Sequence, residues 1–278
     1  MNLKHLFVIL FFFLSMPSLV SAQEEMALVS WNIRDFGKTK SAEEIEQIGN
    51  ILKEYDVIAL QEVVAGYGGS QAVARLADYL NRTGSKWDYS ISAPTKSPKY
   101  KTEKYAFLWK TSRLKIIEKA RLITDLEECV YREPYQVKFE SKKGSKGSFT
   151  LLNYHSRKHS EQPEIEMSCI SDYMKNHKDE NIILAGDFNL TIDHSVFDKL
   201  KNDSYKACLN GDKTTLKRLC KDGNYLNHAI DNIIYNATKN ELIDCDTIDF
   251  VQECDQLESM RMLSDHLPVY MRFKFVMN

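Results

Sequence analysis

Beyond residue 22, apolar runs of strand length alternate with stretches whose apolar residues recur every three to four positions. Ala27 to Ile33 predicts a strand closed by the turn-like Arg34-Asp35-Phe36-Gly37. Ser41 followed by Glu44 is a capping box, which opens a helix with Ile45, Ile48, Ile51 and Leu52 on one face. Asp56 to Glu62 predicts a second, buried strand, and residues 70–83 carry Ala72, Leu76, Ala77 and Leu80 at helical spacing. The middle of the chain is strand-rich: Trp87 to Ile91, Tyr105 to Lys110, Leu114 to Thr124, Tyr135 to Phe139 and Ser148 to Tyr154. Gly144 and Gly147, set among lysines, predict a hairpin tip. A helix over about 162–176 and an apolar strand from Asn181 to Ala185 follow, then an irregular stretch over 192–225. Strands near 228–235, 242–250 and 267–275 complete the pattern. Many strands with three clear helices predict an α/β domain over residues 23–278, made of two packed sheets with helices outside.

The first 22 residues stand apart. Lys4 and His5 precede an unbroken apolar run from Leu6 to Leu14, Pro17 breaks it, and Val20-Ser21-Ala22 places small residues where a signal peptidase cuts. The run is short against the roughly 20 residues a membrane span needs. This predicts an exported protein, secreted or periplasmic, with no membrane anchor after cleavage. Charged residues at 27% and apolar ones at 43% exclude a disordered tail, a coiled coil and a multi-span membrane protein. Net charge is -2, so no basic surplus advertises a nucleic-acid binder, although a local basic cleft can do that work. All six cysteines lie beyond residue 22, which suits disulfides in an oxidising compartment. The short separations Cys208 to Cys220 and Cys245 to Cys254 suggest local loops, and no CxxC with histidine partners suggests zinc.

Polar residues repeat one theme at strand ends. Asn32 follows the first strand, Gln61-Glu62 the second, His155 follows Phe149–Tyr154, and Gly186-Asp187-Phe188-Asn189 follows Asn181–Ala185. Asp231 lies in the 228–235 strand, and Ser264-Asp265-His266 precedes the last one. Ends of adjacent strands converge on one rim, where a rigid scaffold can hold reactive groups. Glu62, Asp187, Asp231 and Asp265 are hard oxygen donors, with Asn32 and Asn189 as neutral amides; the set suits Mg²⁺, Mn²⁺ or Ca²⁺ and suits Zn²⁺ poorly. Two histidines beside carboxylates can hold or pass protons near neutral pH. Phosphodiester hydrolysis requires these parts: a water made basic, a stabilised highly charged transition state and a protonated leaving oxygen.

Trp31-Asn32-Ile33, Gln61-Glu62-Val63, Asp187-Phe188-Asn189 after a glycine, Asp231 in a strand, and Ser264-Asp265-His266 before Pro268-Val269 occur in order across nearly the whole mature chain. This series resembles the endonuclease/exonuclease/phosphatase superfamily, and within it the secreted deoxyribonuclease I branch. Tyr100 to Leu108, Arg132-Glu133-Pro134 and His155 resemble the same branch. The resemblance implies a four-layer α/β sandwich and a Mg²⁺-dependent DNA endonuclease, with Mn²⁺ as a possible substitute, acting as a monomer on DNA without a stable protein partner. It implies that Glu62 binds the metal, with Asn32 and Asp265 nearby. Asp187 and Asn189 would position water and phosphate. His266 oriented by Asp231, and His155 oriented by Glu103, would form two acid/base pairs. Arg132 would contact a flanking phosphate, and Arg34 would help engage the substrate.

Some positions depart from the branch. Val64 stands where it has an arginine that enters the minor groove, which shifts duplex engagement to Arg34, Arg132 or the Lys96–Lys104 loop. Residues 203–227 do not match, so structural Ca²⁺ loops do not transfer. An exported sphingomyelinase-type phosphodiesterase would share the metal and the last histidine, but the Lys/Gly/Ser-rich Ser141 to Ser148 hairpin lacks the aromatics that enter a lipid interface. A non-catalytic binding protein on the same scaffold would show a decayed site, whereas every acidic and histidine position here is filled.

Overall fold

A computed structural model describes residues 25–143 and 147–276, so the segment expected to be a signal peptide and the Gly144 end of the expected hairpin tip lie outside the described residues. The strands are β1 (Met26–Phe36), β2 (Val57–Val64), β3 (Trp87–Ile91), β4 (Glu103–Lys110), β5 (Leu114–Leu122), β6 (Tyr135–Ser141) and β7 (Ser148–His155). They continue as β8 (Ile182–Asp187), β9 (Tyr205–Ala207), β10 (Leu216–Lys221), β11 (Asn224–Leu226), β12 (Asp231–Asn236), β13 (Asn240–Thr247) and β14 (Val269–Phe275). The helices are α1 (Ala42–Leu52), α2 (Tyr67–Asn81), α3 (Pro163–Asn176), α4 (Asp198–Asn202) and α5 (Leu257–Met260).

Two six-stranded sheets form, in the orders β13-β14-β1-β2-β4-β3 and β5-β6-β7-β8-β12-β9, with β10-β11 as a separate hairpin. Within them β1/β2 and β7/β8 pair in parallel; their other ladders are antiparallel. Side chains alternate across a strand, so each central strand feeds two cores. Leu28, Val57, Ala59, Tyr105 and Phe107 face Val137, Phe139, Leu151, Ile183 and Ile233 between the sheets. The alternate residues Val29, Trp31, Ile58, Leu60 and Leu108 pack under α1 and α2. Leu152, Tyr154, Ile182 and Leu184 pack under α3 through Met167, Ile170 and Met174. This is the four-layer sandwich the resemblance implied. Each fully buried Leu, Ile or Phe contributes roughly 1.5–3 kcal/mol of transfer free energy.

The Ser41–Glu44 capping box is present in both directions and starts α1. Gly69, in the first turns of α2, lies so close to β2 that an added Cβ would sit 2.0 Å from the Val64 carbonyl oxygen. A side chain there would lift the helix off its strand.

Two expectations are corrected. Residues 192–225 are not irregular: they hold α4, β9, β10 and β11. β9 and β11 have three residues each, too few to show a period. The cysteines do not close local loops; the bonds are Cys129–Cys169, Cys208–Cys245 and Cys220–Cys254. Cys208 follows β9 in one sheet and Cys245 lies in β13 of the other, so sheet packing, not sequence distance, brings them together. Among the described residues no helix is long and apolar enough to cross a membrane.

Candidate active site

The sandwich has one rim where strands running one way end and those running the other way begin. Asn32 and Glu62 lie near the ends of β1 and β2, and Glu103 begins antiparallel β4. Across the gap, His155 and Asp187 end parallel β7 and β8 as register partners, and Asp231 opens antiparallel β12 opposite Asp187. His266 lies just before β14. Strand direction alone therefore puts these side chains at one edge. Gly186 is part of the mechanism of approach: with φ +147°, an added Cβ would sit 1.8 Å from the Tyr154 carbonyl oxygen. Only glycine lets β8 run that close to β7 and set Asp187 beside His155.

Two histidine–carboxylate pairs face each other. His155 Nδ1 lies 3.0 Å from both Glu103 carboxylate oxygens, and His266 Nδ1 lies 3.1 and 2.9 Å from those of Asp231. Both rings turn Nε2 toward Asp187 Oδ2, at 3.5 Å from His155 and 3.8 Å from His266. Asn32 Nδ2 donates to the same oxygen at 3.1 Å and to Glu62 Oε1 at 3.4 Å, which ties the two sheets together across the rim. Asn189 donates its backbone N–H to Asp187 Oδ1 at 2.9 Å and its Nδ2 to Ser156 O at 3.3 Å.

The protonation balance follows from these contacts. Burial works against a charged His155, but Glu103 outweighs it and raises the ring above its ordinary value. Burial likewise opposes charge on His266, yet Asp231, by charge and hydrogen bond, and then Asp187 and Asp265 push it up to about 10. Asp187 is shifted upward by its own burial and by nearby Asp231, against the pull of both histidines. Glu103 would be raised by burial, but His155 and Arg132 hold it below the usual carboxylate range.

Not every expected residue points into the rim. Arg132 is 7% exposed and committed inward: its Nε is 2.9 Å from Glu103, and it donates to the backbone oxygens of Lys101, His155 and Ser156. Arg34 and Asp265 are half-buried and meet at 3.7 Å, with Arg261 3.6 Å from the same Asp265 oxygen. The lysine loop divides: Lys96 pairs with Glu127 and Lys104 donates to Ser70, while Lys101, paired with Glu161, lines a cleft of about 500 Å³ with Glu62, Val64, Tyr100, Arg132 and Lys158. His228 is exposed and joins this region through its backbone.

The donor set accommodates a divalent cation. Asn32 is fully buried; its Nδ2 faces Glu62, and its Oδ1 finds no hydrogen-bond partner among the described residues. Hard oxygens in this arrangement match Mg²⁺ or Mn²⁺. Asp187, Asp231 and His266 also offer ligand atoms within 4.8 Å of one another, a group able to hold a metal. The 2.9 Å separation of His266 Nδ1 from Asp231 Oδ2 is a hydrogen-bond distance, which leaves Nε2 as the free face of the ring.

Sequence reasoning missed several supporting residues. Tyr105 Oη accepts the His155 N–H at 3.2 Å, and Ser264 Oγ donates to Asn32 O at 2.6 Å while accepting from His266 N at 3.1 Å. Thr214, from the stretch read as irregular, donates to Asp231 Oδ2 at 2.6 Å. Ser264 stood in a quoted triplet and could have been singled out; Thr214 carried no signal.

The two-sheet sandwich thus gathers carboxylates, amides and paired imidazoles at one edge. The chain belongs to the Endonuclease/Exonuclease/phosphatase family, whose model matches residues 29–266. Deoxyribonuclease-1 of Bos taurus is 29% identical over 185 residues, 63% of this chain and 64% of that protein, so the match spans a little under two thirds of the relative. A deoxyribonuclease of Thioalkalivibrio sp. (strain K90mix) is 28% identical over 273 residues, 91% of this chain and 72% of the relative. Among solved structures, an endonuclease/exonuclease/phosphatase from Bacteroides vulgatus superposes with TM-score 0.66 at 16% identity, covering 91% of this chain and all (100%) of that one. D. rerio TDP2 complexed with single strand DNA product gives TM-score 0.61 at 16% identity, covering 90% and 99%. These two likenesses show the shared fold.

Proposed function

We propose that this chain is an exported DNA endonuclease that hydrolyses phosphodiester bonds with Mg²⁺, or Mn²⁺ in its place. The observation that carries the reading is the pair of imidazoles whose Nε2 atoms close on one buried carboxylate, Asp187. Glu62, the orphan Oδ1 of Asn32 and Asp265 are the hard oxygens that would hold the cation. When bound, that ion supplies positive charge against the phosphate oxygens. The protein's own groups do the rest. Asp187, held by Asn32 and by the Asn189 N–H, orients the attacking water, and Asn189 orients the phosphate. His155 and His266, each locked by a carboxylate at Nδ1, take up or deliver a proton at Nε2, so that water loses a proton and the leaving oxygen gains one. Arg132 holds Glu103 and the backbone around His155 from the wall of the adjoining cleft, where Lys101 and Lys158 stand with it to meet a flanking phosphate. The apolar segment Leu6 to Leu14 with Ala22, and three disulfides, support export to an oxidising compartment.

Nicking of supercoiled plasmid by residues 23–278 tests this, with Mg²⁺, with Mg²⁺ plus Ca²⁺ and with EDTA. Metal-dependent nicking that is lost in His155→Ala is expected. A folded, metal-binding protein that leaves plasmid intact but cleaves sphingomyelin or small phosphate esters would overturn the DNA assignment.

A further inference from the structure

The Asp231–His266 pair is assembled by a segment that belongs to neither partner. Residues 214–216 run antiparallel to 265–267: Leu267 N donates to Thr214 O at 2.7 Å, Leu216 N donates to Asp265 O at 2.8 Å, and Thr215 bridges His266. This ladder sets the backbone of the histidine. The Thr214 side chain reaches the other partner. It is fully buried, and its hydroxyl accepts the N–H groups of Ile230 at 3.2 Å and Asp231 at 3.1 Å.

A hydroxyl has two acceptor sites and one proton. With both acceptor sites taken, its proton goes to the nearer of two oxygens, Asp231 Oδ2 at 2.6 Å against His228 O at 3.3 Å. Asp231 Oδ2 is therefore gripped from one side by Thr214 and from the other by His266 Nδ1 at 2.9 Å. The carboxylate cannot rotate without breaking one of these bonds.

We infer that Thr214 is a positioning residue for this pair: through its hydroxyl it fixes the Asp231 carboxylate, and through its backbone it fixes His266, so that Nε2 stays turned to Asp187. The inference rests on the reading of Asp231–His266 as an acid/base pair, and Thr214 itself touches no substrate.

Two variants separate positioning from simple packing. Thr214→Val keeps the shape and removes the hydroxyl; Thr214→Ser keeps the hydroxyl and removes a methyl. In plasmid nicking by residues 23–278 with Mg²⁺, Thr214→Val is expected to lower kcat about 10- to 100-fold with KM within about twofold, and Thr214→Ser to stay within about threefold of wild type. In an Asp231→Asn background, Thr214→Val is expected to change kcat by less than about threefold, because residues acting through one another are not additive. Circular dichroism confirms that each variant folds. Near-normal kcat in folded Thr214→Val, or a full further loss in the Asp231→Asn background, would overturn the inference.

A readout that needs no turnover keeps this distinct from the proposed activity. In ¹⁵N–¹H spectra of the substrate-free protein in EDTA, His266 is expected to carry its proton at Nδ1 in wild type and in Thr214→Ser, with that signal shifted or broadened in Thr214→Val. An unchanged signal in Thr214→Val would refute the positioning role whether or not DNA is the substrate. Absence of nicking by wild type with the spectral change present would refute only the DNA assignment.

Discussion

Glu103→Gln perturbs a buried carboxylate shared by an arginine and a histidine. Glu103 is 7% exposed, its Oε2 lies 2.9 Å from Arg132 Nε, both oxygens lie 3.0 Å from His155 Nδ1, and Oε1 accepts the Glu62 N–H at 3.4 Å. Glutamine has nearly the same volume, so packing is conserved and the change is electrical. It leaves Arg132 buried without its counter-charge, and it turns an NH₂ group toward a site surrounded by donors. Removing one partner of a buried ion pair costs about 3–5 kcal/mol, and the remaining amide oxygen places this variant near about 3 kcal/mol. At roughly 2–4 °C per kcal/mol for a chain of this size, Tm should fall by about 6–12 °C. Activity should fall further than stability explains, by about 10² or more, because His155 loses the acceptor that sets its tautomer. Urea unfolding and plasmid nicking below the new Tm measure the two effects. Adding Arg132→Met completes a cycle in which a coupling of about 0.5–3 kcal/mol between the two positions is expected. A Glu103→Gln protein within about 1 kcal/mol of wild type that nicks plasmid normally would refute the reasoning.

Other outcomes follow from single contacts. Gly186→Ala forces a side chain to φ +147° and against the Tyr154 carbonyl, so a loss of at least about 2 kcal/mol is expected, read as a lowered Tm or a failure to fold. His266, pushed up to about 10 from an unfolded value near about 6.5, contributes stability that is full below that lower value and is lost as pH rises toward the upper one. In EDTA, Tm should therefore decline between about pH 7 and 10, and His266→Gln should flatten that decline. Replacing Cys220 and Cys254 with serine removes a bond between residues 34 apart that closes the small core of Leu216, Tyr225, Val251, Leu257 and Leu267 beneath the His266 segment. A loss of about 2–4 kcal/mol is expected, together with weaker nicking, and an unchanged urea midpoint would contradict it.

The elements that sequence pattern determined are those whose signal is local. Trp87–Ile91 matches its strand residue for residue, and the Ser41 capping box begins α1 where the periodicity predicted. The family resemblance was legible because its motifs, Asn32, Glu62, Asp187 and His266, sit at strand ends that length and apolar patterning already marked. The strand ends also explain why their convergence could be anticipated: adjacent strands must deliver their terminal side chains to a common rim.

What tertiary structure alone decided is everything set by register and direction between distant segments. Arg132 is expected from sequence to contact a phosphate, and only packing sets its guanidinium on Glu103, 29 residues away, at the wall of the cleft. The cysteine pairs follow sheet packing, since Cys208 meets Cys245 only when the two sheets stack. Thr214 acquires its place because an antiparallel bridge lays residues 214–216 against 265–267, a pairing that no local periodicity announces. Local chemistry is written along the chain, whereas which donor meets which acceptor depends on crossovers whose ends lie far apart in sequence. That dependence is why residue types and strand ends were readable in one dimension, and the two closed histidine pairs around Asp187 only in three.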